Sequence, residues 1–110
     1  MRTYPIVRPD GSLHAFEIRN SFVWIGTLLR LLRSANGVAD VKRNYSDDDR
    51  IKFRFRGEPC VVNEPWGDSS RYWIGPEDPK SAANLDLSPL HEAFQRHRGA
   101  LARAWERLVQ

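Results

Sequence analysis

The longest apolar run in the chain extends from Asn20 to Gly37 and predicts a helix that is buried on more than one side. The polar residues at its ends suit a cap at each end of a helix: Asn20 or Ser21 at the start, and the pair Asn36-Gly37 at the end. Trp24 and Leu31 lie off the main apolar stripe, on a second apolar face. A single sheet face covers only one of these sides. The stripe itself recurs at helical spacing and consists of Ile25, Leu28, Leu29 and Leu32.

Alternating apolar and polar residues predict β-strands on both sides of this helix. Two short runs, 4–8 and 13–19, flank the turn signal Pro9-Asp10-Gly11-Ser12 and predict a β-hairpin. In the second run the alternation places three residues on one face, namely His14, Phe16 and Ile18. Further strands are predicted at 38–45, 51–55 and 71–75.

A two-residue turn at Arg56-Gly57 predicts how the strand at 51–55 pairs with the segment that follows it. In this register Phe53 lies opposite Cys60, and Ile51 lies opposite Val62. These four side chains are expected to face the core, and the alternating basic side chains are expected to face outward.

Ser88-Pro89 is a helix-start signal, because serine caps the helix and proline fits its first turn. The residues that follow predict an amphipathic helix that covers the second apolar side of helix 20–36. Two arrangements remain open: the helix packs on the sheet of its own chain, or it packs on the sheet of a second copy of the chain. Its stripe, at alternating spacings of four and three, consists of Leu90, Phe94, His97, Leu101, Ala104 and Leu108, with Trp105 beside it.

These elements predict an α+β fold in one domain that spans residues 1–110. Residues 1–76 form the sheet and the central helix, 77–87 form a linker, and 88–110 form the C-terminal helix. The order β-β-α-β-β-β-α favours an antiparallel sheet of about five strands. One buried helix and the long C-terminal amphipathic helix are expected to pack on one face of this sheet.

Composition indicates the cellular compartment of the protein and excludes some classes of protein. The chain has 41% hydrophobic and 28% charged residues, a net charge of +3 and one cysteine, so it forms no internal disulfide. No apolar run approaches the roughly 20 residues that span a bilayer, and the N-terminus lacks the apolar core of a signal peptide. We therefore expect a soluble cytoplasmic protein without a membrane partner.

The residues predict no catalytic centre, cofactor or metal site. Cys60 is placed on the core face, where burial disfavours a reactive thiolate. His91 begins a near match to a zinc-binding HExxH motif, but Gln95 stands where the second histidine is needed. A small enzyme with a site near Glu64, Asp68 and Arg71 is the weakest of three functional hypotheses.

Binding without catalysis is the leading hypothesis, with a protein partner or a homodimer. Four tryptophans in 110 residues provide large contact surfaces that are typical of interfaces. The residues assigned to a protein interface are Trp24, Leu31, Trp66, Phe94, Leu101, Trp105 and Leu108.

Nucleic-acid binding on the basic face of the sheet is the alternative. Basic side chains beside an aromatic platform hold single strands through phosphate contacts and base stacking. The residues assigned to this site are Lys42, Lys52, Arg54, Arg56, Arg71 and Trp73.

Overall fold

The protein is an α+β fold in which a six-stranded antiparallel sheet carries two helices. The computed structural model describes residues 3–19, 25–45, 48–64, 71–80 and 82–97. The second helix, α2, is described from 88 to 97, within the predicted helix 88–108. The other elements are β1 Thr3–Val7, β2 Leu13–Arg19, α1 Ile25–Ser34, β3 Val38–Arg43, β4 Asp49–Phe55, β5 Glu58–Asn63 and β6 Arg71–Pro76.

The strand order in the sheet is β1-β2-β6-β5-β4-β3, and every neighbouring pair is antiparallel. After the β1–β2 hairpin, the connection that contains α1 carries the chain to the far edge of the sheet. Three successive hairpin connections then bring it back until β6 pairs with β2. The sheet thus has six strands rather than about five, because the segment opposite β4 is a full strand that also pairs with β6.

The β4–β5 hairpin has the register that the sequence predicts. Phe53 pairs with Cys60 and Ile51 pairs with Val62. Arg56 and Gly57 form the turn with φ angles of 51° and 85°, so both residues adopt the left-handed conformation of a two-residue hairpin turn.

The β1–β2 hairpin contains a bulge that changes where one side chain lies. Ile6 pairs with Ala15 but Val7 pairs with Leu13, so His14 is an extra residue on β2. The predicted alternation placed His14 on the face of Phe16. The bulge instead brings the His14 ring to 6.3 Å from the ring of Trp73 on β6, away from the core.

The core lies between the sheet and the two helices. Leu28 and Leu32 of α1 and Leu90 and Phe94 of α2 are at most 1% exposed. The ring of Phe94 lies 5.1 Å from that of Phe16 on β2, which fixes the described part of α2 against its own sheet. On the sheet side the core includes Ile18, Ile51, Phe53, Phe55, Cys60, Val62, Tyr72 and Ile74.

A carboxylate that the sequence analysis did not identify holds the start of α2. Asp86 Oδ1 accepts hydrogen bonds from the backbone N–H of Ser88 at 3.0 Å and from its hydroxyl at 2.6 Å. The same oxygen accepts the backbone N–H of Leu13 at 3.0 Å, which ties α2 to the first residue of β2. The backbone oxygen of Leu87 accepts the first helical hydrogen bond, from the N–H of His91, so Leu87 rather than Ser88 stands at the N-cap position of the helix.

Candidate interaction surface

The side of the sheet that faces away from both helices is called here the outer face. On β6 the buried side chains of Tyr72 and Ile74 point to the core, so Arg71 and Trp73 point to the outer face. The same alternation on β4 places Lys52 and Arg54 on that face. The predicted nucleic-acid residues of β4 and β6 therefore lie on one surface.

Trp73 lies against the sheet above Gly75. A β-carbon built on Gly75 would lie 2.6 Å from Cη2 of Trp73 and 2.9 Å from the β-carbon of Ala15. Real β-carbons do not approach other atoms so closely, so glycine is required for this position of the indole. Trp73 is partly buried, and Ala15 and Val61 near it on neighbouring strands are almost completely buried.

Next to Trp73, a cation lies between an aromatic ring and a carboxylate. The guanidinium carbon of Arg71 lies 3.9 Å from the centre of the Tyr4 ring. Its Nη1 lies 3.9 Å from Oε1 of Glu17, which pairs with Trp73 across β2 and β6. Cation–π and ionic contacts together orient Arg71, so this half of the outer face is an ordered group of aromatic and charged side chains.

The other half of the outer face carries a shallow depression with three cations. Lys42 of β3 and Lys52 of β4 are directly opposite in the register, and Arg54 is the next outward residue on β4. These side chains line a space of about 380 Å³ together with Asp40 and Glu77. Nζ of Lys52 lies 3.7 Å from Glu77, and Nε of Arg54 lies 3.7 Å from Asp40, so the surface carries both signs of charge.

The two halves are separated by small or apolar residues. Gly75 pairs with Val61, and Val61 pairs with Lys52, so a glycine and a valine stand between β2 and the lysines. Arg56 lies in the β4–β5 turn, with its guanidinium carbon 5.3 Å from the centre of the Phe55 ring. The six residues predicted to bind nucleic acid thus form two separate groups and one turn residue rather than one strip.

The residues predicted for a protein interface divide into two sets. Leu31 and Phe94 are 6% and 0% exposed, because both pack inside the chain. Leu31 also lines a cleft between α1 and α2 together with Ala93 of α2. The other interface residues lie outside the described residues and are Trp24, Trp66, Leu101, Trp105 and Leu108.

The structure describes two of the three residues of the site that the enzyme hypothesis needs. Glu64 Oε2 lies 3.1 Å from Nε of Arg50, whereas Arg71 contacts Glu17. Asp68 lies outside the described residues. Two of the three predicted residues therefore have different ionic partners.

Burial disfavours a reactive thiolate at Cys60. Its side chain is 0% exposed, and burial raises the pKa of the thiol from 9.0 to about 12. Within the described ranges, no three side chains of His, Cys, Asp or Glu are grouped so that they could hold a metal ion. Nor is any helix in the described part of the chain long and apolar enough to cross a bilayer.

A polar cleft of about 480 Å³ lies between the end of α1 and α2. His97 lines it, and its Nε2 is buried, with no hydrogen-bond partner seen in the described structure. Desolvation lowers the pKa of His97 below its usual 6.5, and the nearby Arg30 acts in the same direction. Glu92 and Arg96 also line the cleft, so it presents an acidic and a basic side chain beside the imidazole of His97.

Both edge strands of the sheet carry features that oppose pairing with another strand. β1 has Pro5 at its centre, and proline has no backbone N–H to donate. β3 has an irregular register between Ala39 and Lys42, with Asp40 in a left-handed conformation at φ 54°. Bulges and prolines at sheet edges reduce edge-to-edge association.

Four residues of the outer face were missed by sequence reasoning. Tyr4 and Glu17 join Arg71 because β6 pairs with β2, a long-range pairing that no local pattern specifies. Asp40 and Glu77 reach Arg54 and Lys52 from a bulge and from the end of β6. For Tyr4 and Glu17, the alternation of the first hairpin could have placed the side chains on the outer face. For Asp40 and Glu77, no local pattern did so.

A comparison of the chain with known protein families, with curated proteins and with solved structures finds no match in any of the three. The outer face is therefore interpreted from its own geometry.

Proposed function

We propose that the protein is a non-enzymatic interaction protein of the cytoplasm that binds another protein through the outer face of its sheet. The observation that carries this proposal is the group of Trp73, Tyr4 and Arg71 on a face that neither described helix covers. Tryptophan, tyrosine and arginine are the residues most enriched at the energetic centres of protein interfaces. The two helices are already packed on the opposite face.

The charge pattern favours a protein over nucleic acid as the partner. Glu17, Asp40 and Glu77 each lie within 4 Å of a cation on the outer face. A polyanion gains affinity from cations that neutralise its phosphates, and interspersed carboxylates oppose this gain. A protein surface with both signs of charge forms complementary pairs with the same pattern.

The partner is expected to pack on the face rather than extend the sheet. Pro5 lies in one edge strand, and the bulge at Asp40 interrupts the other. Peptides that bind by adding a strand need a free run of backbone N–H and C=O groups. Neither edge provides such a run in its middle.

A homodimer is the first form of this interaction to test. Light scattering at micromolar concentration should give twice the 12.7 kDa chain mass, and Trp73→Arg should reduce it to one chain mass. Lys80→Glu, an exposed charge change outside the outer face, is the matched control and should leave the dimer intact. A wild-type mass of 12.7 kDa at every concentration would remove the homodimer and leave a different protein as the partner.

Site-specific photo-crosslinking tests the face itself, whatever the partner. Tyr4 and Tyr45 are replaced one at a time by a photo-reactive benzoyl-phenylalanine, which conserves an aromatic side chain. Tyr4 lies on the outer face beside Arg71, whereas Tyr45 is 78% exposed just beyond the end of β3. We expect a protein adduct in cells from position 4 and none from position 45. Equal labelling at both positions, or none at position 4, would refute the proposed face.

A further inference from the structure

The depression on the β3–β4 half of the outer face has the charge arrangement of an anion site. Lys42 and Lys52 are directly opposite each other on neighbouring strands, and like charges in this position destabilise a sheet. Arg54 adds a third cation next to them on the same face. A bound anion would convert this repulsion into attraction.

The two carboxylates of the depression leave the cations available to a ligand. Both ion pairs, Lys52–Glu77 and Arg54–Asp40, have N–O distances of 3.7 Å, which are too long for hydrogen bonds. The four side chains are between 46% and 68% exposed. Nη1 of Arg54 donates to the backbone oxygen of Gly57 at 2.9 Å, which leaves Nε and Nη2 of the guanidinium for a ligand. Lysine ammonium groups and the Arg54 guanidinium can then donate to phosphate oxygens.

The positions of the carboxylates limit the size of the anion. Asp40 lies at the bulge of the edge strand, and Glu77 lies beyond the end of β6, so each carboxylate borders the cations on one side. A long polyanion that extended past the cations on either of these two sides would meet a carboxylate. A compact ligand keeps its phosphate among the cations and offers hydroxyl groups to Asp40 and Glu77, which accept hydrogen bonds.

We infer that this depression binds a small ligand that carries one phosphate group and several hydroxyl groups, such as a sugar phosphate. Its space of about 380 Å³ lies within the usual range for small-molecule sites. The phosphate lies between Lys42, Lys52 and Arg54, and the hydroxyl groups face Asp40 and Glu77. The site is separated from the Trp73 group by Gly75 and Val61, so variants of its lysines test it without altering that group.

Calorimetric titration with ribose 5-phosphate tests this site. We expect measurable binding by the wild-type chain, and binding weaker by about tenfold in Lys42→Gln and in Lys52→Gln, because each loses one charge-assisted contact. Lys80→Gln is the matched control, since Lys80 is exposed and does not line the depression. Circular dichroism checks that all three variants fold.

Ribose, inorganic phosphate and a single-stranded oligothymidylate serve as comparison ligands that show which part of the ligand the site recognises. Ribose should not bind, and inorganic phosphate should bind more weakly than ribose 5-phosphate because it offers nothing to the two carboxylates. Absence of ribose 5-phosphate binding, or an equal loss in Lys80→Gln, would overturn the site. Inorganic phosphate that binds as tightly as the sugar phosphate would overturn the polyol part. The last comparison ligand is a single-stranded oligothymidylate. If it binds more tightly than the sugar phosphate and loses affinity in the same two variants, the ligand of this site is nucleic acid and not a sugar phosphate.

Discussion

Gly75 is the residue on which the position of Trp73 depends. Gly75→Ala places a β-carbon 2.6 Å from the indole and 2.9 Å from Ala15, so one of these groups must move. Overpacking of this kind costs about 1–3 kcal/mol of unfolding free energy. We expect a lower urea midpoint together with a changed near-ultraviolet circular dichroism signal, because the environment of an indole changes.

Gly26→Ala is the matched control for this substitution. Gly26 lies in α1, and in the described part of the chain no atom beyond its chain neighbours and its own helix backbone lies within 4 Å of a β-carbon built there. Alanine in a helix is more favourable than glycine by up to about 1 kcal/mol, so stability should be unchanged or higher. If Gly75→Ala were as stable as Gly26→Ala, the close packing of Trp73 on the sheet would be wrong.

Arg56 and Gly57 illustrate what a few residues specify at the level of an element. Both adopt positive φ angles, which match the twist of a two-residue hairpin turn. Once that turn is placed, the pairing of Phe53 with Cys60 follows from geometry alone, and it was predicted. The predicted helix end at Asn36-Gly37 is two residues too late, because α1 ends at Ser34. Asn36 and Gly37 form the turn that follows, and there Gly37 has the expected positive φ, of 83°.

The start of α2 depends on Asp86, which forms a similar motif to Asp10. Each carboxylate accepts the N–H and the hydroxyl of the serine two residues later, but Asp86 also accepts the N–H of Leu13. Asp86→Asn keeps an acceptor oxygen but loses the charge that strengthens these hydrogen bonds, so we expect a cost of about 1 kcal/mol. Asp10→Asn, in an exposed turn, should cost less. Equal effects on the urea midpoint would show that the tie to β2 adds nothing.

The pH dependence of this contact has a defined sign. The hydrogen bonds from Ser88 and Leu13 lower the pKa of Asp86 below 3.8. The contribution to stability is therefore complete above about pH 3.8 and is lost as the pH falls through the lower folded-state pKa. Wild type should lose stability more steeply than Asp86→Asn in this acidic range.

The long-range part of the fold was less predictable than these local features. Sequence periodicity identified β2 and β6 as strands, but nothing local indicates that they pair, because a helix and three strands separate them. That pairing creates the group of Tyr4, Glu17 and Arg71. Half of the candidate surface therefore could not be predicted from short sequence patterns. The basic half was predictable, since Lys52 and Arg54 alternate within one strand. Their carboxylate partners Asp40 and Glu77 were not.

At the scale of the whole molecule, the chain's three histidines all favour the neutral form in the folded state. Desolvation lowers the pKa of His14, His91 and His97 below 6.5. Arg8 beside His14 and Arg30 near His97 act in the same direction, whereas Glu92 partly opposes the effect at His91. His91 also holds a hydrogen bond of 2.8 Å with Thr3 Oγ1 and packs on Phe16, so it joins α2 to β1 and β2.

The folded chain therefore binds fewer protons than the unfolded chain below pH 6.5, and its stability should decrease there. The contribution of each histidine is complete above about pH 6.5 and is lost as the pH falls through its folded-state pKa. Urea unfolding between about pH 7.5 and about pH 5 measures this decrease, and His91→Gln should make it shallower while it retains a donor for Thr3. The variant that replaces all three histidines with glutamine should be nearly flat over this range. A decline as steep as that of the wild type in that variant would assign the acid sensitivity to the carboxylates instead.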